Sequence, residues 1–271
     1  MKKTRLLGMA LALLLAWVVG GCAEAQYSNL TDADSRLAVA SAWEAHGLKG
    51  APVEKVLSWV EDYNAAAKGM AAEDGFMPLP EAGADYGAVV LDDKAKEYLS
   101  WLNCRLTAFS LLSDGVETAG KEADNDAWLM FDVEAIDTLD ELRMSEESRA
   151  DFVTLFHPVS IAGAATLEAH EARIAEAWTA RDIRLTTDGV SLICVYLHMP
   201  EDEVRFVGHT GVLTETEDGL LFFEKYSSLA PFQATFFPDR AALKRYLLAR
   251  PDLYGDETEL APIVTENGCV L

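Results

Sequence analysis

The chain has 271 residues, half of them apolar, with 22 lysines and arginines against 45 aspartates and glutamates, a formal net charge of −23. That balance excludes a disordered chain, which lacks the apolar residues for a core. It also argues against nucleic acid as a partner, since a surface this acidic repels a phosphate backbone.

Residues 1–21 read as a secretory signal: Lys2, Lys3 and Arg5 precede an apolar run from Leu6 to Val19. Gly20 and Gly21 then stand directly before Cys22, which resembles the cleavage box of bacterial lipoproteins. The resemblance implies loss of the leader, lipid on the Cys22 sulfur and a place on the extracytoplasmic face of the bacterial cell membrane. Two or three acyl chains, at about 0.8 kcal/mol per buried methylene, hold a protein there durably. An ordinary secreted protein and a signal anchor are the other readings of this leader. Three of the 22 basic residues and no acidic ones fall in it, so the remainder carries 19 against 45, net −26.

Residues 22–30 read as a short tether and 31–271 as a single domain. Thr31 to His46 is predicted helical, with Thr31 as cap and Gly47 as stop. Pro52 opens a second helix in which Val56, Trp59, Val60 and Tyr63 share one side, and Gly69 ends it. Ala72 to Gly87, with three glycines and two prolines, is a loop, and Asp92 to Trp101 is predicted helical. From Leu102 to Leu112 the apolar residues Leu106, Phe109 and Leu112 mark one helical stripe, and Asn103 is placed to cap it. Gly115 to Asp126 is acidic and exposed, and Trp128 to Phe131 reads as a short strand or turn. Ser145 to Phe156 and Ala165 to Arg181 are two more predicted helices.

The texture changes after Asp188. Ser191 to Leu197, Arg205 to Thr214, Leu220 to Tyr226 and Gln233 to Phe237 read as strands, with a turn at Asp218 and Gly219. Asp239 to Leu248 is a helix ended before Pro251, and Ile263 to Leu271 a hairpin turning at Asn267 and Gly268. Helices over 31–187 and antiparallel strands over 188–271 predict an α+β fold, the helical part packed on the sheet.

With Cys22 assigned to lipid, Cys104, Cys194 and Cys269 remain, an odd number that argues against a disulfide framework and leaves a Cys194 to Cys269 bridge open. There is no CxxC spacing, and His170 followed by Glu171 lacks the second His of a zinc-protease helix, so neither metal nor cofactor is expected. His157 and His170 read as structural or exposed.

Cys104 opens its helix, where the helix dipole and unpaired amides favour a thiolate, and Arg105 beside it adds charge. The alternative is an inert small apolar residue in a core helix. A reactive thiol needs a base, and the base needs an acceptor behind it. His209, between Gly208 and Gly211, is the candidate base, the glycines letting a helix or substrate backbone approach. A turn at 218–219 sets Leu213 opposite Glu224, which puts His209 and Glu224 on one face with Tyr226, opposite Gly211, as a second orienting group. Gln233 is a candidate oxyanion donor beside the Cys104 amide. The competing readings are a satisfied core His209, a surface ion pair at Glu224, and His198 as the base.

The order of Cys at a helix start, a GHTG strand and a polar residue on the next strand resembles papain-like cysteine hydrolases, especially bacterial cell-wall amidases and endopeptidases. The Gln that precedes their Cys is not evident, and Glu224 stands where they carry Asn, Asp or His. More closely, NCRLTAF, GHTGVL, FFEKYSSLAPFQAT and LARPDLYG resemble an uncharacterised bacterial lipoprotein family, domain of unknown function 4300, which carries no established activity. Together these imply a lipid-anchored papain-like cysteine hydrolase acting on an amide, with cell-wall peptides as the first substrate. A non-catalytic binding lipoprotein using the same cleft and transglutaminase-like acyl transfer are the alternatives.

Overall fold

The computed structural model describes residues 24–70, 74–253, 255 and 258–271, so the leader and Cys22 lie outside the described residues. Helix α1 is Ala33–Ala45, and its cap is Asp32 rather than Thr31. Asp32 accepts the Ser35 amide at 2.8 Å and the Ser35 hydroxyl at 2.6 Å, satisfying an orphan donor of the first turn. Helix α2 (Ala51–Ala66) starts on Pro52 and buries Val56, Trp59, Val60 and Tyr63. The predicted helix over 92–101 shrinks to one 3-10 turn, Glu97–Ser100, which leaves Asn103 free to start α3 (Cys104–Leu112) afresh. Where a strand or turn was expected, Trp128 to Phe131 leads into α4 (Met130–Thr138). Helices α5 (Glu146–Phe156) and α6 (Leu167–Ala180) begin at Ser145 and Thr166, each capping through its hydroxyl, and α7 (Arg240–Ala249) begins at Asp239.

One antiparallel sheet of nine strands organises these helices. In chain order the strands are β1 (Gln26–Ser28), β2 (Met77–Pro78), β3 (Val159–Ser160), β4 (Val190–Met199), β5 (Val204–Thr216), β6 (Gly219–Lys225), β7 (Phe232–Phe237), β8 (Ile263–Glu266) and β9 (Cys269–Val270). Across the sheet they run β9, β8, β4, β5, β6, β7, β1, β2, with β3 also paired to β5. The fold is α+β. The first strand lies within the stretch read as a tether, so the sheet draws an edge from the start of the chain as well as from its last third.

Alternation along the strands separates two cores. Val212, Leu221, Phe223 and Phe232 face the layer of α1, α2 and α3, where Trp43 meets Phe223 edge-on at 4.9 Å. Leu213, Phe222 and Phe237 face the other way, onto Leu243 and Leu247 of α7. Adjacent residues of β6 therefore serve different layers: Glu224 goes with Phe222 to the α7 side, and Lys225 with Phe223 to the α2 side. Helix α3 is buried from Leu106 to Leu112 around its whole circumference, Phe109 packing on Phe152 of α5, which fixes its N-terminus against the sheet.

Candidate active site at a fork between two strands

Asn103 caps α3, its Oδ1 accepting the Leu106 amide at 3.1 Å, and its Nδ2 donates to Asp132 at 2.6 Å. Arg105 reaches the same carboxylate at 2.6 Å and also donates to the Val207 carbonyl at 2.9 Å. Asp132, on α4 and 1% exposed, thus pins both neighbours of Cys104. The amides of Cys104 and Arg105 precede the first intrahelical bond, which Thr107 makes to Asn103, and stay available as donors. An Asn103→Ala change removes the cap and one Asp132 partner. It is expected to cost about 1–2 kcal/mol in urea unfolding, at the upper end for a cap.

The sheet opens where Cys104 meets it. Strands β5 and β6 pair from Thr216–Gly219 to Val212–Phe223 and then part, although β6 stays paired with β7 as far as Lys225–Phe232. At this fork the Cys104 sulfur lies beside His209 and the Thr210 amide, both of which favour its thiolate. A bulge aims the imidazole: Val195 faces His209 and Tyr196 faces Val207, leaving Gly208 as the extra residue. Core side chains crowd both glycines, and Gly208 also lines the cavity beside Cys104. A Cβ on Gly208 would stand 2.4 Å from Leu197, and one on Gly211 would stand 2.5 Å from the Phe222 ring.

Leu213 pairs with Phe222, not Glu224, so the true register differs by two residues from the expected one. Because two is an even shift, Glu224 keeps its face and comes nearer His209. His209 Nε2 lies 2.5 Å from Glu224 Oε2. The other ring nitrogen, Nδ1, is then the one left for the thiol. Glu224 is fully enclosed, accepting from Tyr246 at 2.7 Å and from Arg250 at 2.7 Å. Arg250 in turn grips Asp252 with two bonds, at 3.1 and 2.6 Å, donates to the Tyr226 carbonyl at 3.1 Å, and lies 3.7 Å over the Tyr226 ring.

These contacts set the charges. Burial opposes a Cys104 thiolate, but the His209 hydrogen bond, the charges of His209 and Arg105 and the Thr210 amide prevail and lower the thiol. Burial and Arg250 push His209 down, yet Cys104 and Glu224 raise it to about 9. Burial likewise opposes the Glu224 carboxylate, and Arg250 and His209 outweigh it and lower it. Together these contacts favour a thiolate–imidazolium pair backed by a carboxylate over the neutral thiol and imidazole.

A cavity of about 570 Å³ opens on this pair, lined by Cys104, His209 and Tyr226 together with Trp101, Phe131 and Ser228. One wall is the loop after β6, tied down by buried Lys225. Its ammonium donates to the carbonyls of Ser227 at 2.9 Å, Ser228 at 3.2 Å and Ala230, and lies 4.3 Å over Tyr63. Burial pushes Lys225 down to about 7.

Gln233 is not part of the cavity wall. Paired with Glu224 across β6 and β7, it is buried behind the carboxylate, bonded to Thr235 at 2.8 Å, Tyr246 at 2.9 Å and Tyr86 at 2.6 Å. His198 stands apart, accepting the Leu260 amide at 2.9 Å beside His170. Cys194 and Cys269 are free thiols, the first buried against Thr210 and the second exposed on β9, so they do not bridge. Among the described residues no group of three or more His, Cys, Asp or Glu side chains is placed to hold a metal ion.

Residues 26–271 match the family model described as a domain of unknown function, DUF4300. The chain belongs to this family. No curated protein and no solved structure matches it. The DUF4300 match spans every residue of the site, including three that sequence reasoning missed. Asp132 is an acid set in the apolar run Leu129 to Ile136, Arg250 directly precedes the Pro251 that stops α7, and Tyr246 lies one helical turn before Arg250.

Proposed function

We propose that this DUF4300 protein is a cysteine hydrolase of papain-like type that cleaves an amide. The observation that carries the reading is the juxtaposition of Cys104 with His209, itself hydrogen-bonded to Glu224, on the wall of one cavity. The thiolate attacks the carbonyl carbon, forming a C–S bond, and the oxyanion meets the Cys104 amide at the helix start. His209 gives its proton to the departing amine as the C–N bond breaks, leaving a thioester. Water then attacks the thioester, His209 takes the proton, and the acid leaves as the thiol is restored.

We further propose lipid on Cys22 and an extracytoplasmic site of action, which makes cell-wall peptides the first substrate to try. No helix among the described residues is long and apolar enough to cross a membrane. The test is release of new amino groups from purified cell-wall peptides by the full chain. Wild type should produce them and Cys104→Ser should not; equal release by both, or none by wild type across cell-wall and general peptide amides, would end the hydrolase reading. A second reading, a binding protein using this cleft, draws support from Gln233, whose position behind Glu224 takes its side-chain amide away from the oxyanion. Under it, peptides would bind and emerge intact.

A further inference from the structure

One large apolar side chain at the cavity is left open to solvent: Phe131, on the first turn of α4, is 70% exposed. Phe131 lines the cavity with Trp101 and Leu253. Its neighbour Asp132 is the carboxylate that holds Asn103 and Arg105, so the ring is set in a fixed relation to the nucleophile. Phe131 thus stands near the thiol without the burial that normally accompanies a Phe.

Charge is the second observation. The cavity holds Arg105, His209 and Asp252, and each is already paired within the protein: Arg105 with Asp132 at 2.6 Å, His209 with Glu224 at 2.5 Å, and Asp252 with Arg250 at 2.6 Å. Apart from the Cys104 thiolate that attacks, the cavity wall offers no unpaired charged side chain for a charged substrate group.

Resting on the hydrolase reading, we infer that Phe131, with Trp101, forms a subsite for a neutral, bulky apolar side chain beside the amide that is cleaved. The side chain covers Phe131, removing two apolar surfaces from water together, and the flanking backbone amides of the substrate meet the polar wall at Ser227 and Ser228. A glutamate side chain at that place would be desolvated against an aromatic ring with no partner, and a lysine would gain a ring face but lose water from its ammonium.

Chloromethyl ketones carrying a phenylalanine, glycine or lysine side chain test this, since the Cys104 thiolate displaces chloride and the adduct mass reads the reaction without turnover. Inactivation rates of the full chain are divided by the iodoacetamide rate of the same protein. The phenylalanine probe should exceed the glycine probe by about tenfold or more, the discrimination an apolar pocket gives, and should also exceed the lysine probe. In Phe131→Ala the phenylalanine preference should collapse toward one, while Phe131→Leu should keep most of it, which separates loss of the subsite from a general disturbance of α4. Equal rates for all three probes, a lysine preference, or an unchanged ratio in Phe131→Ala would overturn the subsite and leave the hydrolase reading standing. Failure of every probe to label Cys104 faster than a free thiol would remove both.

Discussion

Arg250→Met will destabilise the protein by about 3 kcal/mol at neutral pH, the lower end of the cost of breaking a buried ion pair because His209 still faces the carboxylate, as read from urea unfolding. Glu224 and Arg250 are both essentially buried, with relative side-chain exposures of 0% and 2%, and 2.7 Å apart. In the native protein Glu224 lies below its usual range because Arg250 and His209 outweigh burial. Its stabilising contribution is therefore whole above the unfolded value of about 4.3 and is lost as pH falls through the lower native value. Without Arg250, burial is opposed only by His209 and Tyr246, and the folded carboxyl holds its proton to higher pH. The deficit of the variant should widen as pH rises above about 4 and narrow in acid. A deficit that does not vary with pH would mean that Arg250 acts only by packing.

His209→Ala should abolish the reactivity of Cys104 at neutral pH while leaving the fold in place, because Glu224 keeps Arg250 and Tyr246 as partners. In wild type the thiol is lowered and His209 is raised to about 9, so the thiolate–imidazolium pair persists between the two values. Alkylation by iodoacetamide should then proceed well below the free-thiol value of about 8.5. Removing the imidazole leaves burial, the largest influence on Cys104, opposed only by Arg105 and the Thr210 amide. The apparent thiol pKa should move up, with about a tenfold loss of alkylation at pH 7 for each unit. Unchanged pH dependence in the variant would show that the sulfur and the ring are not coupled.

The parts of the site written in local chemistry were legible in the sequence. Asn before Cys announces a helix start because capping depends on three or four consecutive residues, and α3 begins at Cys104. Placing His209 and Glu224 on one face survived a misjudged turn, since strand parity is indifferent to a slip of two. What stayed hidden depends on tertiary contact. Asp132 sits on a helix whose sequence, Met130 to Thr138, carries apolar residues at no single period because its start doubles as a cavity wall. Tyr86 lies in an irregular loop and reaches Gln233 across 147 positions of chain. The Gly208 bulge has no sequence mark beyond the glycine itself, yet it decides which way the imidazole points.

The polarity of β1 has a consequence for how the molecule is presented to its surroundings. Gln26 pairs with Phe236, and Ser28 with Ala234, so the strand runs toward the fork from the far rim of the sheet. The length of β6, about 17 Å from Leu220 to Lys225 at the usual rise per residue, separates that rim from the thiol. Four residues from Cys22 to Gln26 reach about 14 Å at most. An acyl group on Cys22 would therefore moor the protein by its back, with the cleft turned outward to whatever lies beyond the bilayer, and lipid headgroups would be the ligands it meets least.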